Sequence, residues 1–382
     1  MPGPKHTRIA IHHPPGIAIW EDILRGVFDF ARPDLPWIIC ANFDRAPERL
    51  AAWEPDAVIA QCDSAATTLQ LQQLNVPVVS VAREKEAATF PTVQIDDVAV
   101  GRMAADYFLN RGFTSFACYT AAGRDFMDAR RQGFEEGCDA AHSFDALVTN
   151  ETEMRFGITP TDPVLTDWLK SLPPSTAVFA TTDALGVCVS MACREAEIPV
   201  PDSIALLAAS NNELLCNLDH PPLSSIRLPG RRLGFEAARM LQQMLNGFEP
   251  KERLIRLSPV EVVGRHSSDV YCIQDEDVAA AMNFIRDRAG SRINVADVVQ
   301  HVAISRSALE RRFRKLLGRT MLDEILAQRV RIAKTLLVTH ELSLAEVARQ
   351  SGFGDARQFS NSFRKLVGET PSAFRQRISG GE

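Results

Sequence analysis

Residues 296–320 read ADVVQHVAISRSALERRFRKLLGRT, and residues 345–370 read AEVARQSGFGDARQFSNSFRKLVGET. These are two versions of one unit. Ala296 and Val298 recur as Ala345 and Val347; after an offset larger by one residue, Phe313, Arg314, Lys315, Gly318 and Thr320 recur as Phe363, Arg364, Lys365, Gly368 and Thr370. One extra residue therefore sits in the turn of the second copy. In each copy a short amphipathic helix meets a turn, and Ser305 or Asp355 stands where its side-chain oxygen caps the next helix. The pattern is a helix-turn-helix written twice.

Within the second helix of each unit, Leu309, Phe313 and Leu316, and likewise Phe359, Phe363 and Leu366, fall at i, i+4, i+7 and predict one buried stripe. The remaining face carries Arg306, Ser307, Glu310 and Arg311 in the first unit and Arg357, Gln358 and Asn361 in the second. These side chains suit base edges: Arg pairs bidentately with guanine, Asn or Gln with adenine, and Glu accepts from cytosine. Arg314, Lys315, Arg364 and Lys365 suit phosphates. On charge alone a plain helical bundle with a solvated basic face is an equal alternative; the repeat favours duplex DNA as the partner. Between the units, MLDEILAQRVRIAKTLLVTH has helical spacing through Leu322, Ile325, Leu326, Val330, Ala333, Leu336 and Leu337. About 17 such residues at 1.5 Å each span roughly 25 Å, the order needed to set two recognition helices in successive major grooves about 34 Å apart.

Charge agrees with this division. The 382 residues carry a net −6, but from Asp275 onward 18 Lys and Arg face 13 Asp and Glu, so the tail is +5 and the body −11. An acidic body with a basic tail directs a polyanion to the tail. No apolar stretch approaches the ~20 residues of a membrane helix, and MPGPKHTRIAIHH lacks the apolar core and cleavage site of a secretory leader, so a cytoplasmic location is expected. All eight cysteines fall in the first 272 residues without CxxC spacing, which reads as buried, reduced thiols. Adjacent His12 and His13 in a strand point to opposite faces and do not chelate one ion. Neither metal nor cofactor is expected. GxSxG, GxxxxGK[ST] and HExxH signatures are missing, which argues against an enzyme.

Working back from the tail, residues 8 to about 265 alternate short β-rich runs (RIAIHH, WIICA, DAVIAQ, VPVVSVA, FACYT, TAVFATT, SIALLAA) with helical patterns. This is the βαβ rhythm of parallel sheets. Two Rossmann-like lobes are predicted, the first ending near Ile95 and Asp96, with ligand-facing loops at the carboxyl ends of strands. The polar run HSSDVYCIQDED interrupts the pattern. The predicted domains are a sensor over 6–266, a linker over 267–275, and a helical domain over 276–380 with turn units at about 293–317 and 343–367.

The tail GETPSAFR, with SGFGD before the second recognition helix, resembles the arabinose-regulator (AraC/XylS) family over about residues 275–378. That resemblance implies a seven-helix domain whose two recognition helices dock on one DNA face, often recruiting RNA polymerase. ARRQGFEEG, the segment TAVFATTDALGVCVSMACREAEIPVPDSIALLAASNNE, and PPLSSIRLPGRRLGFEAARML resemble the lactose/galactose-repressor and periplasmic sugar-binding fold. The repressors carry a DNA-binding headpiece ahead of the sensor. Here the first strand starts by about residue 8, so DNA binding is expected at the other end. A sensor of this kind placed before an arabinose-regulator tail is similar to the arrangement of xylose-operon regulators. The fold class is thus an α/β two-lobed periplasmic-binding-protein-like sensor followed by an all-α double helix-turn-helix domain.

By this resemblance Arg130 and Asp183 hydrogen-bond ligand hydroxyls and Asn211 closes the site. Each has a plainer reading: a surface helix charge, a helix N-cap and a turn residue. In the first lobe, His13 and Trp20 follow the first strand, Asp63 follows DAVIAQ and Arg83 follows VPVVSVA; Trp20 either stacks on a sugar face or fills the core. Ser210 stands where the family pattern usually has Asp, which removes a strong acceptor pair for two adjacent hydroxyls. The effector is therefore xylose or another pentose, hexose, uronate or glycoside. The implied function is an effector-responsive activator of sugar-catabolism genes, dimeric through its sensor. The alternative is the same DNA-binding regulator with a non-sugar effector such as a nucleobase, or with none.

Overall fold

The computed structural model describes residues 6–13, 19–31, 35–41, 47–62, 65–81, 89–138, 142–150, 162–272, 275–339 and 342–379. Asp63 and Arg83 lie outside them. Two units emerge: residues up to Leu109 together with Phe113–Val270, and Asn110–Gly112 together with Tyr271 onward.

In the first unit, strands β1 (Thr7–His12), β2 (Trp37–Ala41), β3 (Ala57–Ala60), β4 (Val78–Ser80), β5 (Thr92–Ile95) and β11 (Leu254–Leu257) form a parallel sheet in the order β11-β5-β4-β3-β1-β2. Strands β6 (Ser115–Ala122), β7 (Ser143–Asn150), β8 (Thr176–Ala180), β9 (Ile204–Ser210), β10 (Ser224–Arg227) and β12 (Glu261–Val263) form a second sheet, β12-β10-β9-β8-β6-β7, parallel except for β12. Each lobe is thus doubly wound, with its first strand lying between the second and the third. A switch point opens where neighbouring connections depart to opposite faces: β1/β3 in one lobe, β6/β8 in the other.

Alternation along the strands assigns the faces. Ile9, Ile11, Ile59, Val79 and Val93 bury against α1 (Ile19–Ala31) and α9 (Gly230–Leu245), whereas Ala10, Val58, Ala60 and Val78 meet Leu50 of α2 (Pro47–Ala52) and Leu71 of α3 (Ala65–Gln73). Every residue of β3 and β8 is buried, as strands covered on both faces require. In the second lobe, α6 (Pro163–Ser171), α7 (Asp183–Glu195) and α8 (Glu213–Leu218) cover one face through Leu165, Leu169, Leu185, Val189 and Cys216. Phe108 of α4 (Asp97–Leu109) and Phe134 of α5 (Asp125–Gly137) join Phe116 and Phe179 in an aromatic layer. Helices α4 and α5 touch backbone to backbone: a Cβ on Gly133 would lie 2.1 Å from the carbonyl oxygen of Val98.

The chain leaves the first sheet after Ile95, at the expected place, but it then returns through α9 and β11 and crosses again to β12. The linker prediction needs correction at its start. Ser267 and Ser268 are buried in the first unit, where Ser267 Oγ donates to the Leu206 carbonyl at 2.7 Å and Ser268 Oγ to Ser224 Oγ at 2.7 Å. Short hydroxyl side chains read as linker in the sequence because their buried partners lie more than forty residues away.

The second unit comprises α10 (Glu276–Arg288), α11 (Val295–Val302), α12 (Arg306–Leu317), α13 (Met321–Thr339), α14 (Leu344–Gln350), α15 (Ala356–Val367) and α16 (Pro371–Ser379). It has two cores. Val278, Ala281, Ile285, Val298, Leu309 and Phe313 share the first with Met321 and Ile325 at the start of α13; Val330, Ala333 and Leu337 of the same helix pack with Val347, Phe353, Phe359, Phe363 and Phe374 in the second. Helix α13, about 28 Å long, is thus a common wall. The predicted stripes shift at their ends: Leu316, Leu366 and Leu322 are about half exposed, and Leu317 and Val367 face the cores instead. At these helix ends the chain turns through Gly318 (φ +66°) and Gly368 (φ +87°), and the last residue of each helix, not the leucine before it, packs against the core. Among the described residues, no helix is long and apolar enough to cross a membrane.

Candidate functional site

Four connections bring polar side chains to the carboxyl ends of the second lobe's strands. Arg130, on the helix after β6, is buried and donates from Nε to Asp97 Oδ1 at 2.8 Å and from Nη1 to the Thr181 carbonyl at 2.8 Å, with its guanidinium 5.0 Å from the Phe126 ring centroid. Thr181 directly follows β8, so Arg130 spans the β6/β8 switch point. Asp183, at the start of α7, is also buried: its Oδ1 accepts from Ser225 Oγ at 2.5 Å and its Oδ2 from the Asn212 amide at 2.6 Å. Burial raises the Asp183 pKa, against the opposing pull of these two bonds and of the Arg130 and Arg265 charges.

Ser210, the last residue of β9, and Asn211 after it have φ of +127° and +52°, conformations L-residues rarely adopt. Three bonds hold this turn. The Asn211 amide donates to Ser225 Oγ at 2.9 Å, Arg265 Nη2 donates to Asn211 Oδ1 at 2.9 Å, and the Asn212 amide is pinned by Asp183. Arg265 is itself tied to Asn217 Oδ1 and the Leu223 carbonyl. Strain sustained by surrounding bonds is a mark of sites that preorganise a contact.

Asp183 and Asn211 are thus joined through Ser225, and Arg130, held by Asp97 and Thr181, acts on Asp183 through its charge; the partners that sequence reasoning missed are Asp97, Ser225 and Arg265. Asp97 was legible in principle, since it follows the carboxyl end of β5. Arg265 carried no local signal, because it sits beside the polar run read as a linker. At the first lobe's switch point, Trp20 lies in the core, stacked on buried His13 with ring centroids 4.6 Å apart, and its Nε1 donates to Gln61 Oε1 at 3.0 Å just after β3. None of the eight cysteines is in a disulfide, but Cys40, Cys188 and Cys272 are only half-buried rather than buried as expected. Burial pushes the Cys193 thiol up to about 12, and so keeps it protonated.

In the second unit, α11 and α12, and α14 and α15, form the two helix-turn-helix pairs. Both predicted caps are made: Ser305 Oγ accepts from the Ala308 amide at 3.4 Å and Asp355 Oδ1 from the Gln358 amide at 2.7 Å. The leading helices open with capping boxes, Asn294 with Asp297 and Ser343 with Glu346. Arg306, Ser307, Glu310, Arg311, Arg314 and Lys315 of α12 are exposed, as are Arg357, Gln358, Asn361, Arg364 and Lys365 of α15. Three of them have local duties: Arg306 Nε donates to Glu310 at 2.8 Å, and Gln358 Oε1 accepts from the Gly354 amide at 3.0 Å.

Comparison with known proteins matches both units. A family profile described as periplasmic binding protein-like domain matches residues 105–268, and one described as helix-turn-helix domain matches residues 298–377. The chain is 31% identical over 327 residues, 84% of each protein, to the xylose operon regulatory protein of Haemophilus influenzae. It is 28% identical to that of Escherichia coli K12, over 97% of each. A solved structure of a xylose-binding transcription activator covers 98% of both chains with a TM-score of 0.66 and 27% identity.

Proposed function

Because the chain belongs to the xylose operon regulatory protein family, we propose that its first unit binds xylose or a closely related carbohydrate and that its second unit binds operator DNA in response. The observation that carries the effector half is the polar side chains held at the carboxyl ends of the second lobe's strands, with Arg130 fixed by Asp97 and Thr181, and Asp183 and Asn211 joined through Ser225. Hydroxyl-rich ligands need such fixed donors and acceptors. Asp63, Arg83, His13 and Ser210 complete the proposed contacts, while Trp20, in the core, backs His13. On the DNA side, Arg306, Ser307, Glu310, Arg311, Arg357, Gln358 and Asn361 read bases, and Arg314, Lys315, Arg364 and Lys365 hold phosphates. The regulator acts in the cytoplasm as a dimer through its sensor, and activates by recruiting RNA polymerase. No chemistry on the effector is required; a coupling of about 1–3 kcal/mol between the sites changes occupancy roughly 5- to 150-fold.

The test is a thermal-shift screen of the full chain against pentoses, hexoses, uronates and nucleobases. A ligand at a hundred times its Kd stabilises the folded state by about 2.7 kcal/mol. Xylose or a near relative should raise Tm selectively. Silence across the sugars, or a response to a nucleobase, would leave a DNA-binding regulator with a different effector or none.

A further inference from the structure

Arg329 lies in the middle of α13, buried although it carries a guanidinium. Its Nε donates to the Ala289 carbonyl at 3.3 Å, and its Nη2 to the carbonyls of Ser291 at 3.3 Å and Ile293 at 2.6 Å. Those carbonyls form the connection between α10 and α11, directly ahead of the first helix-turn-helix. On the other side, the Arg329 guanidinium lies 5.9 Å from the ring centroid of Phe353, in the turn of the second helix-turn-helix.

The same connection touches that turn without help from Arg329. Gly352 has φ of +83°, and a Cβ there would lie 2.2 Å from the Ala289 oxygen and 2.8 Å from that of Ser291. Arg292 Nη2 reaches the Gly354 carbonyl at 3.4 Å. Gly352 stands where the first turn has Ala303, which also takes a positive φ (+59°), and Phe353 stands where the first turn has Ile304; here Phe353 lies in the second core, beneath Arg329.

A long helix bends gently when nothing else braces it, so α13 alone joins the two cores as a single elastic rod. Buried guanidinium groups are costly to desolvate unless their donors are met, and here three main-chain carbonyls meet them. We propose that Arg329 is a positioning residue that locks the two recognition helices at one separation and rotation, so that the regulator selects operators by the spacing between their two half-boxes. The proposal rests on the reading that both recognition helices contact DNA. Shifting one box by a base pair moves it about 3.4 Å and rotates it roughly 35°, changes that a braced pair of helices does not follow.

The experiment selects full-length protein against a random-sequence duplex library and reads the distance between the two enriched boxes. Wild type should return a single spacing. Arg329→Gln should return the same two boxes spread over neighbouring spacings, and Gly352→Ala, whose Cβ would press on the Ala289 and Ser291 oxygens and lie 3.0 Å from Arg329 Nε, should do likewise. Val278→Ala, a core truncation away from the joint, should lower Tm and yield while keeping one spacing. If Arg329→Gln does not fold, Arg329→Lys, which keeps the charge but loses the fork, takes its place beside Gly352→Ala. A single wild-type spacing in the joint variants overturns the proposal. A wild-type pool without paired boxes overturns the two-helix reading beneath it.

Discussion

Gly101 and Arg130 meet main chain to main chain: a Cβ on Gly101 would lie 2.0 Å from the Arg130 carbonyl oxygen. The helix carrying Arg130 can sit where its guanidinium reaches Asp97 and Thr181 because α4 presents no side chain at that point. Gly101→Ala should push α5 away, at a cost of about 1–3 kcal/mol or more, lowering Tm by several degrees. Titration calorimetry with the effector should show weakened binding beyond what a Tm-matched core variant shows. Unchanged affinity would separate Arg130 from the ligand.

Asp97 and Arg130 form an ion pair with both side chains about 4% exposed. Removing one partner strands the other, which typically costs about 3–5 kcal/mol. Asp97→Asn and Arg130→Met should each destabilise strongly in urea unfolding, and the double variant should lose less than the two losses combined. Additive losses would mean that the pair is not coupled.

Burial raises the Asp183 pKa above its unfolded value, so the folded state holds the proton more tightly. The contribution of this group is present below the unfolded pKa of about 3.9 and is lost as pH rises through the folded pKa. Asp183→Asn removes the titration. The Tm of the variant relative to wild type should rise from pH 4 to pH 7, while the response to effector disappears. A difference that is flat with pH, or that falls, contradicts the assignment.

On α12 and α15, exposed Arg311 and Arg357 stand on the proposed base-reading face and Arg364 on the phosphate-holding one. Arg311→Ala and Arg357→Ala should each cost about 1–3 kcal/mol and relax specificity at one operator position. Arg364→Ala should weaken binding to all sequences and reduce the salt slope by about one. Equal behaviour of all three in salt-dependent binding assays would show the faces to be misassigned.

The two recognition-helix caps differ in length: 2.7 Å at Asp355 and 3.4 Å at Ser305. Losing an N-cap costs about 0.5–2 kcal/mol. Asp355→Ala should fall toward the upper end of that range and Ser305→Ala toward the lower, as read by thermal unfolding of the full chain.

The doubled helix-turn-helix, its caps and the strand-helix alternation of the sensor were legible because each is written between near neighbours. An N-cap and its amide are three residues apart, and a buried strand shows its apolar run within five. The ends of the recognition helices were misread for the same reason. Leu316 and Leu366 fit the period, but the way each helix end packs against its core decided which leucine or valine was covered.

The sequence by itself determined that a parallel α/β unit precedes two helix-turn-helix units, since periodicity, turn chemistry and motif spacing act locally; Arg130, Asp183 and Asn211 were pointed to by the family resemblance. The tertiary structure alone decided which partners hold those three: Asp97 lies 33 residues from Arg130, Ser225 lies 42 from Asp183, and Arg265 lies 54 from Asn211. It alone also brought Arg329 to the carbonyls of Ala289, Ser291 and Ile293. Such bonds join the ends of strands and helices that only sheet order and core packing make adjacent, and no local pattern in the chain encodes that adjacency.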